Sequence, residues 1–499
     1  MPRLIPSSSR LGRWLRFGRS HVRLEIAHAQ RLLRTRIPGS KLRVQQAVGV
    51  LFAGAVAVGA AQFVPEALPR EARLMAGIFV LAALLWTTEA LPLFATALLV
   101  IALEVVLLAN PGDWPGLGFT GAETPPYQTF LAPLASPIIY LFLGGFIVAR
   151  AAVKEGVDAS LASLVLRLFQ GRPRLVMLGL MIATATFSMF MSNTATTAMM
   201  ITLVGPMLVQ IPKDDPVRRG LLLSVPFAAN IGGMGTPVAS PPNAVALGVL
   251  AESGLAISFG AWMLIAVPLG AVLLVIAWLL IQRLYPAQTA GLHLQPITSR
   301  LTGRGYVVLA VALSTIALWL AEPWHGLPTA VVALLPVVAF TSLGVLNRYD
   351  FDALQWNVLV LIAGGLALGV GMRLTGLDVA LVQALPTGGA TALLILTAGT
   401  LVLSTFMSNT AAANLVLPIG ISLAMATGDP ASGIEVALCI ALVASSAMAL
   451  PVSTPPNAIA YAQGELTTRD MVMAGTIVSL LALALIAGLG PFVIGYWIR

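Results

Sequence analysis

Ser188-Met-Phe-Met-Ser192-Asn193-Thr194-Ala195 occurs in this chain a second time, as Ser404-Thr-Phe-Met-Ser408-Asn409-Thr410-Ala411, identical from Phe190 to Ala195 against Phe406 to Ala411. A second pair follows: Ser240-Pro-Pro-Asn243-Ala244 and Thr454-Pro-Pro-Asn457-Ala458. The copies are offset by 216 residues (193 to 409) in the first pair and by 214 (243 to 457) in the second. Two ordered pairs at nearly one offset mark an internal duplication. Each half carries two polar, helix-breaking segments inside otherwise apolar sequence.

Composition sets the solvent. The chain is 58% hydrophobic and 10% charged, against about 25% charged in soluble domains. Apolar runs near 20 residues recur from Gln45 onward, the length that crosses about 30 Å of hydrocarbon. The single cysteine, Cys439, excludes a disulfide framework. His21, His28, His293 and His325 fall in predicted tails or loops without metal-ligand spacing. The net charge of +8 reads as membrane orientation rather than nucleic-acid binding.

Residues 1–43 hold eleven Lys/Arg against one acid, Glu25, and no apolar core of a secretory signal. They read as a basic cytoplasmic tail; an Arg-rich transit peptide is the alternative. Membrane helices are expected at 44–64, 71–88, 91–109 and 133–151, making a first block over 44–152. An amphipathic linker follows at 153–174. Over 175–285 come three parts: a hairpin tipped by the Ser-Asn-Thr motif, a helix broken at Gly232-Gly-Met-Gly-Thr-Pro237 and Pro241-Pro242, and a whole helix. Each hairpin arm of about 15 residues is too short for a comfortable crossing. Proline removes a donor and clashes with the preceding turn, so the broken helix stops at mid-depth. The second half repeats the parts, with helices over 303–373, a linker at 374–386 and hairpin, broken helix and last helix over 387–499. The expected fold is an all-α polytopic membrane protein of about eleven transmembrane helices plus two re-entrant hairpins.

With the N-terminus inside, this threading puts 24 of the 28 Lys/Arg on the cytoplasmic side and the C-terminus outside. Five crossings separate the hairpins, so they enter from opposite faces. The duplication is then an inverted repeat, whose natural product is a midplane site reached alternately from each side.

The four polar segments contain no Lys, Arg, Asp, Glu or His, which disfavours an acid/base enzyme or a proton relay there. Helix ends exposed at Asn, Thr and Pro-Pro-Asn suit an anion, with Asn243 and Asn457 as candidate caps. Free carbonyls with Ser and Asn oxygens suit Na⁺. A lone Ser-Asn-Thr in a membrane helix is more often interhelical glue, and Ser188 and Ser404 can simply bond back to their own helix. Duplication beside duplicated breaks favours a site. Gly144-Gly145 and Gly364-Gly365 read as close-packing points.

These residues, with Ala444-Ser-Ser-Ala-Met-Ala-Leu-Pro-Val-Ser-Thr-Pro-Pro-Asn-Ala-Ile-Ala460, resemble the divalent anion/sodium symporter family of dicarboxylate, citrate and sulfate carriers. Met448 and Ala460 depart from its usual Phe and Val, and Ala239 from a common glycine. The resemblance implies a homodimer, a scaffold domain of the helices in 44–152 and 303–373, and a transport domain that moves as an elevator on the two linkers. It also implies a Na⁺ site at Ser188, Ser192, Asn193 and the Ala239 backbone, and another at Ser404, Ser408, Asn409 and the Ser453 backbone. The anion would lie between Asn193, Thr194, Ser240, Pro241 and Asn409, Thr410, Thr454, Pro455. The expectation is Na⁺-coupled transport of a C4-dicarboxylate such as succinate, malate or fumarate across a bacterial cytoplasmic membrane, without catalytic residues or a further cofactor. Cation-independent exchange in the same fold is the nearest alternative; citrate or sulfate carriage, an anion channel and a membrane enzyme stand further off.

Overall fold

Proline, glycine and capping hydroxyls set the joints of the chain. The computed structural model describes residues 39–63, 68–120, 124–169, 171–292, 301–383, 389–426 and 429–498. Its contacts group into residues 1–52 and 53–499; the packing below is that of the second group. The basic tail expected over 1–43 lies almost wholly outside the described residues.

The helices in order are α1 (Gly39–Phe63), α2 (Arg70–Thr88), α3 (Leu93–Glu104, running into a π turn at Val105–Ala109), α4 (Pro137–Glu155) and α5 (Val157–Arg167). Then come α6 (Pro173–Ser188), α7 (Asn193–Val209), α8 (Val217–Gly232), α9 (Pro241–Glu252) and α10 (Phe259–Leu284). The second half has α11 (Gly303–Leu320), α12 (Leu334–Ser342), α13 (Trp356–Thr375), α14 (Leu377–Gln383), α15 (Gly389–Phe406), α16 (Asn409–Met425), α17 (Pro430–Ala444), α18 (Pro455–Tyr461) and α19 (Thr468–Ile498). No strand forms among the described residues; one isolated bridge pairs Gly171 with Leu292.

Local chemistry explains the boundaries. Pro137 takes the first position of α4, where its missing N–H costs nothing. Gly156 and Gly376 end α4 and α13 with φ of 70°, the left-handed conformation that glycine adopts freely. Ser258 and Thr302 accept the Ala261 and Gly305 N–H groups at the starts of α10 and α11.

Among the described residues, seven helices are long and apolar enough to cross a membrane, so the chain is a polytopic membrane protein. The expected eleven included the two broken helices and two segments that come out shorter. Leu93–Ala109 starts only after Pro92. The segment expected over 327–345 divides into Thr329–Val332 and Leu334–Ser342. Pro336 lacks the N–H that the Val332 carbonyl would receive, and its ring crowds that carbonyl.

The glycine pairs are close-packing points, as read. A Cβ on Gly144 would stand 2.5 Å from the Ala333 carbonyl oxygen, and one on Gly365 would stand 2.0 Å from Asn414 Oδ1. Helices α6, α7 and α8 pack together, as do α15, α16 and α17, and α10 lies along α19. The halves also interlock: α7 packs on α18, α9 on α16, α8 on α18 and α9 on α17. Helix α13 packs on α3 and also touches α9 and α16.

Charged groups sit at the helix ends. Asp350 receives Arg150 at 2.9 Å and Lys154 at 2.5 Å, and it shares a capping box with Asn347. Burial pushes its carboxyl up, but the hydrogen bonds from Lys154, the Asn347 N–H and Arg150 outweigh burial and hold it below the usual carboxylate range. Arg218 at the start of α8 pairs with Glu465 in the loop before α19.

Candidate functional site

Both motifs form turns between antiparallel arms. Helix α6 stops at Ser188 and α7 restarts at Asn193; α15 stops at Phe406 and α16 restarts at Asn409. In the first turn, Ser188 Oγ lies 2.7 Å from both Asn193 Oδ1 and the Ala229 carbonyl oxygen on α8. In the second, Ser404 Oγ lies 2.9 Å from Asn409 Oδ1 and 2.7 Å from the Ala444 carbonyl oxygen on α17. Neither serine bonds back to its own helix in these contacts. One hydroxyl proton stands between two acceptor oxygens, which makes each spot rich in oxygen and short of positive charge. That donor set suits a hard monovalent cation.

The breaks are tied by asparagine. Asn243 Nδ2 donates to the Gly233 and Thr236 carbonyls at 2.9 and 2.8 Å. Asn457 Nδ2 donates to the Met448 and Leu450 carbonyls at 3.0 and 2.9 Å. These side chains were expected to cap the restarted helices. They face backwards instead, where the carbonyls left by each break need donors. The cap of α18 is Thr454, whose hydroxyl accepts the Asn457 N–H at 3.3 Å.

Hydroxyls join breaks to turns. Thr236 Oγ1 donates to the Met189 carbonyl, and Ser453 Oγ donates to the Thr405 carbonyl at 2.8 Å. Ala239, one of the expected cation-site residues, is buried and bonds through its N–H to the Thr236 carbonyl at 3.3 Å.

The halves then bond to each other. Asn230 Nδ2 reaches Thr454 Oγ1 at 3.1 Å and Asn457 Oδ1 at 3.4 Å, while Ser240 Oγ stands 3.2 Å from Ser445 Oγ. A Cβ on Gly233 would meet the Asn193 amide at 2.4 Å, so the first turn lies against the first break. All four polar segments therefore meet. Ser192, Asn193, Thr194, Pro241, Ser408 and Asn409 are half-buried and Pro455 is exposed, whereas Ser188, Ser240, Ser404, Thr410, Ser453 and Thr454 are buried. Side chains of Ser192 and Ser408 make no cap at the starts of α7 and α16, so the first-turn N–H groups there stay available to an anion; at α9, Pro241 and Pro242 carry no N–H and the Asn243 N–H bonds the Ser240 carbonyl at 3.0 Å.

Sequence reasoning missed Thr236, Asn230, Ser445 and Gln355. Asn230 and Ser445 stand 215 residues apart, each just before its break, so the duplication itself pointed to them. Gln355 Nε2 reaches Ser192 Oγ at 3.3 Å from the residue before α13, and no repeat announces it. A cleft of about 520 Å³ lined by residues within 109–119 and 124–128 shares no residue with this site.

Long apolar helices packed around a centre of Ser, Thr and Asn side chains make the chain a membrane protein with a buried polar core, and its relatives are carriers. The comparisons name its family. A family model described as citrate transporter matches residues 83–430 and 316–499, and the chain belongs to that family, in keeping with the resemblance to divalent anion/sodium symporters. It is 34% identical over 460 residues to an uncharacterized transporter of Haemophilus influenzae, covering 87% of this chain and 94% of that one. It is 31% identical to the sodium-dependent dicarboxylate transporter SdcS of Staphylococcus saprophyticus, covering 82% and 85%. It is also 31% identical to the inorganic phosphate transporter PHO87 of Saccharomyces cerevisiae, covering 85% of this chain and 47% of that one. The chain spans about half the length of the yeast relatives it matches.

Proposed function

We propose that this protein is a secondary active transporter that couples Na⁺ to the uptake of a small divalent anion, most readily a C4-dicarboxylate. The observation that carries the reading is the oxygen cluster present twice: Ser188, Asn193 and the Ala229 carbonyl, then Ser404, Asn409 and the Ala444 carbonyl. Each cluster would hold one Na⁺, with Ser192, Ser408 and the backbone at Ala239 and Ser453 completing the shells. The anion would sit between Asn193, Thr194, Ser240, Pro241 and Asn409, Thr410, Thr454, Pro455. A helix N-terminus offers about half a charge, and two bound Na⁺ would complete the neutralisation of a dianion that no basic side chain meets.

In this reading the halves form an inverted repeat with the N-terminus in the cytoplasm. The hairpins, broken helices, α10 and α19 move as one block against a scaffold of the helices over 44–152 and 303–373, linked by α5 and α14. Two copies of the chain associate through their scaffolds. The sodium-dependent dicarboxylate relatives support the substrate class. The fungal phosphate relative favours a second reading, inorganic phosphate, whose dianion asks for the same donors.

Purified protein in liposomes should take up labelled succinate faster with an inward Na⁺ gradient than with K⁺ or choline. Unlabelled malate, citrate, sulfate and phosphate as competitors rank the anions. Equal uptake with every cation, together with succinate counterflow, rejects coupling and establishes exchange. Competition by phosphate alone establishes the second reading.

A further inference from the structure

One wholly buried amide lies outside the site above. Asn414 stands on α16, five residues after Asn409, and its Nδ2 donates to the Leu361 carbonyl of α13 at 3.2 Å. That carbonyl already serves the Gly365 N–H one turn on, and its second lone pair takes the amide. The amide rests on Gly365, where a Cβ would stand 2.0 Å from Asn414 Oδ1 and 2.4 Å from Nδ2. Four residues further along each helix, a Cβ on Gly369 would stand 3.4 Å from Pro418 Cγ. Gly365 and Gly369 thus let α16 lie close along α13, at the spacing by which small residues bring membrane helices together. Asn414 Oδ1 has no hydrogen-bond partner.

The first half has no counterpart of this amide. Ala198 aligns with Asn414 at the offset of 216, and Gly145, the counterpart of Gly365, faces the Val238 side chain, 3.2 Å from where its own Cβ would stand. An amide that only glues two fixed helices gains most when both its ends are satisfied, since a buried acceptor left without a donor is destabilising. Asn414 ties one end only, across the boundary between the proposed block and its scaffold. A half-satisfied bond of this kind holds an arrangement without making it permanent.

We propose that Asn414 is a positioning residue: a latch through which α13 holds the second hairpin in the arrangement described here, with Gly365 as the seat that admits it. When the block moves, Nδ2 leaves the Leu361 carbonyl, which keeps its own helical partner, so no group on the scaffold is stranded. The latch biases which arrangement is populated and leaves the turn at Ser408 and Asn409 unchanged. This inference rests on the moving-block reading.

The test reads two cysteines in one full chain, Met407→Cys and the native Cys439. Met407 is 5% exposed and its Sδ lies 3.6 Å from Thr87 Oγ1 on α2, so the scaffold covers it. Cys439 is wholly buried within the proposed block, its Sγ 3.7 Å from the Ile486 carbonyl of α19. N-ethylmaleimide should reach position 407 when the block leaves, and Cys439 only when the helices around it come apart. In vesicles without Na⁺ or anion, Asn414→Ala should raise labelling at 407 about fivefold relative to Cys439, the factor by which one net hydrogen bond moves an equilibrium. Gly365→Ala, whose Cβ unseats the amide, should do the same, and adding it to Asn414→Ala should bring no further rise. An unchanged ratio overturns the proposal, as does equal acceleration at both cysteines, which marks ordinary interhelical glue. Where Asn414→Ala fails to fold, Gly365→Ala decides alone. In a separate protein with Thr87→Cys, Met407→Cys and Cys439→Ala, Hg²⁺ bridges α2 to the second hairpin turn. If anion uptake continues after that bridge has closed, the moving-block reading itself falls, a result separate from the labelling series.

Discussion

In the first half of the site Thr236 ties the Met189 carbonyl from within the break; in the second, Ser453 ties the equivalent Thr405 carbonyl from a position whose partner in the first half is Ala239. The residue aligned with Thr236 is Leu450, which has no hydroxyl to give. The same carbonyl is thus held in both copies by hydroxyls that arrive from different places. Across the centre the same pattern appears. Asn230 spans to Thr454 and Asn457, while the hydroxyl of its counterpart Ser445 stands against Ser240. What the duplication keeps is the set of backbone oxygens to be oriented. The side chains that orient them are free to differ.

The strongest challenge to that equivalence is to remove the two asparagines the halves share. Asn193→Ala and Asn409→Ala should each lower the maximal uptake rate by about 100-fold or more, since each deletes an oxygen from its cluster and an anchor at the helix start. Both proteins should remain folded, with unfolding midpoints near the parent's. Near-normal uptake by either variant would mean that only one copy is a working site.

The displaced hydroxyl gives a sharper test. Thr236→Val leaves the Met189 carbonyl without its donor, a loss of about 1–3 kcal/mol for a buried group, and should raise the Na⁺ concentration for half-maximal uptake about tenfold. Ser453→Ala should do the same through Thr405. Adding Ala239→Ser to Thr236→Val copies the arrangement of the second half and should recover most of the loss. Failure of that rescue, measured as Na⁺ titrations of uptake, would show that the positions are not equivalent in space.

A smaller effect separates the two cross-links between halves. Asn230→Ala strips two partners and should lower unfolding stability by about 1–2 kcal/mol, whereas Ser445→Ala strips one and should cost about half as much. Reversal of that order in detergent melts would place the main tie at Ser240–Ser445.

How far the sequence revealed this follows from what repetition can mark. The hairpins, the broken helices and the convergence of four segments were readable because Asn193 and Asn409, and the two Pro-Pro-Asn breaks, each occur twice in matched order. The membrane class followed from apolar runs with few charges. The direction of Asn243 and Asn457 was not readable: an amide after two prolines can cap forward or tie backward, and only the placement of the Gly233 and Met448 carbonyls decides. Gln355 was invisible because its contact with Ser192 spans 163 residues and has no counterpart in the other half. The split at Ala333 was legible in Pro336 but masked by the apolar run around it.

The weakest expected effect contrasts two ion clusters at helix ends. Glu465, tied to Arg218, joins the halves of the site; Asp350, tied to Arg150 and Lys154, joins α4 to the turn before α13. The Arg218 hydrogen bond holds the Glu465 carboxyl below the usual range against the pull of burial. A carboxylate depressed in the folded state contributes stability above its unfolded value, about 4, and loses it as pH falls through the folded one. Melting midpoints should therefore drop below pH 4. Glu465→Gln should be slightly less stable at pH 7, by about 1 kcal/mol or less for a pair this near water, and should lose less on acidification. Asp350→Asn should show the same signs more strongly, because its side chain is 6% exposed against 31% for Glu465. An equal acid loss in the parent and both variants would assign the pH response elsewhere.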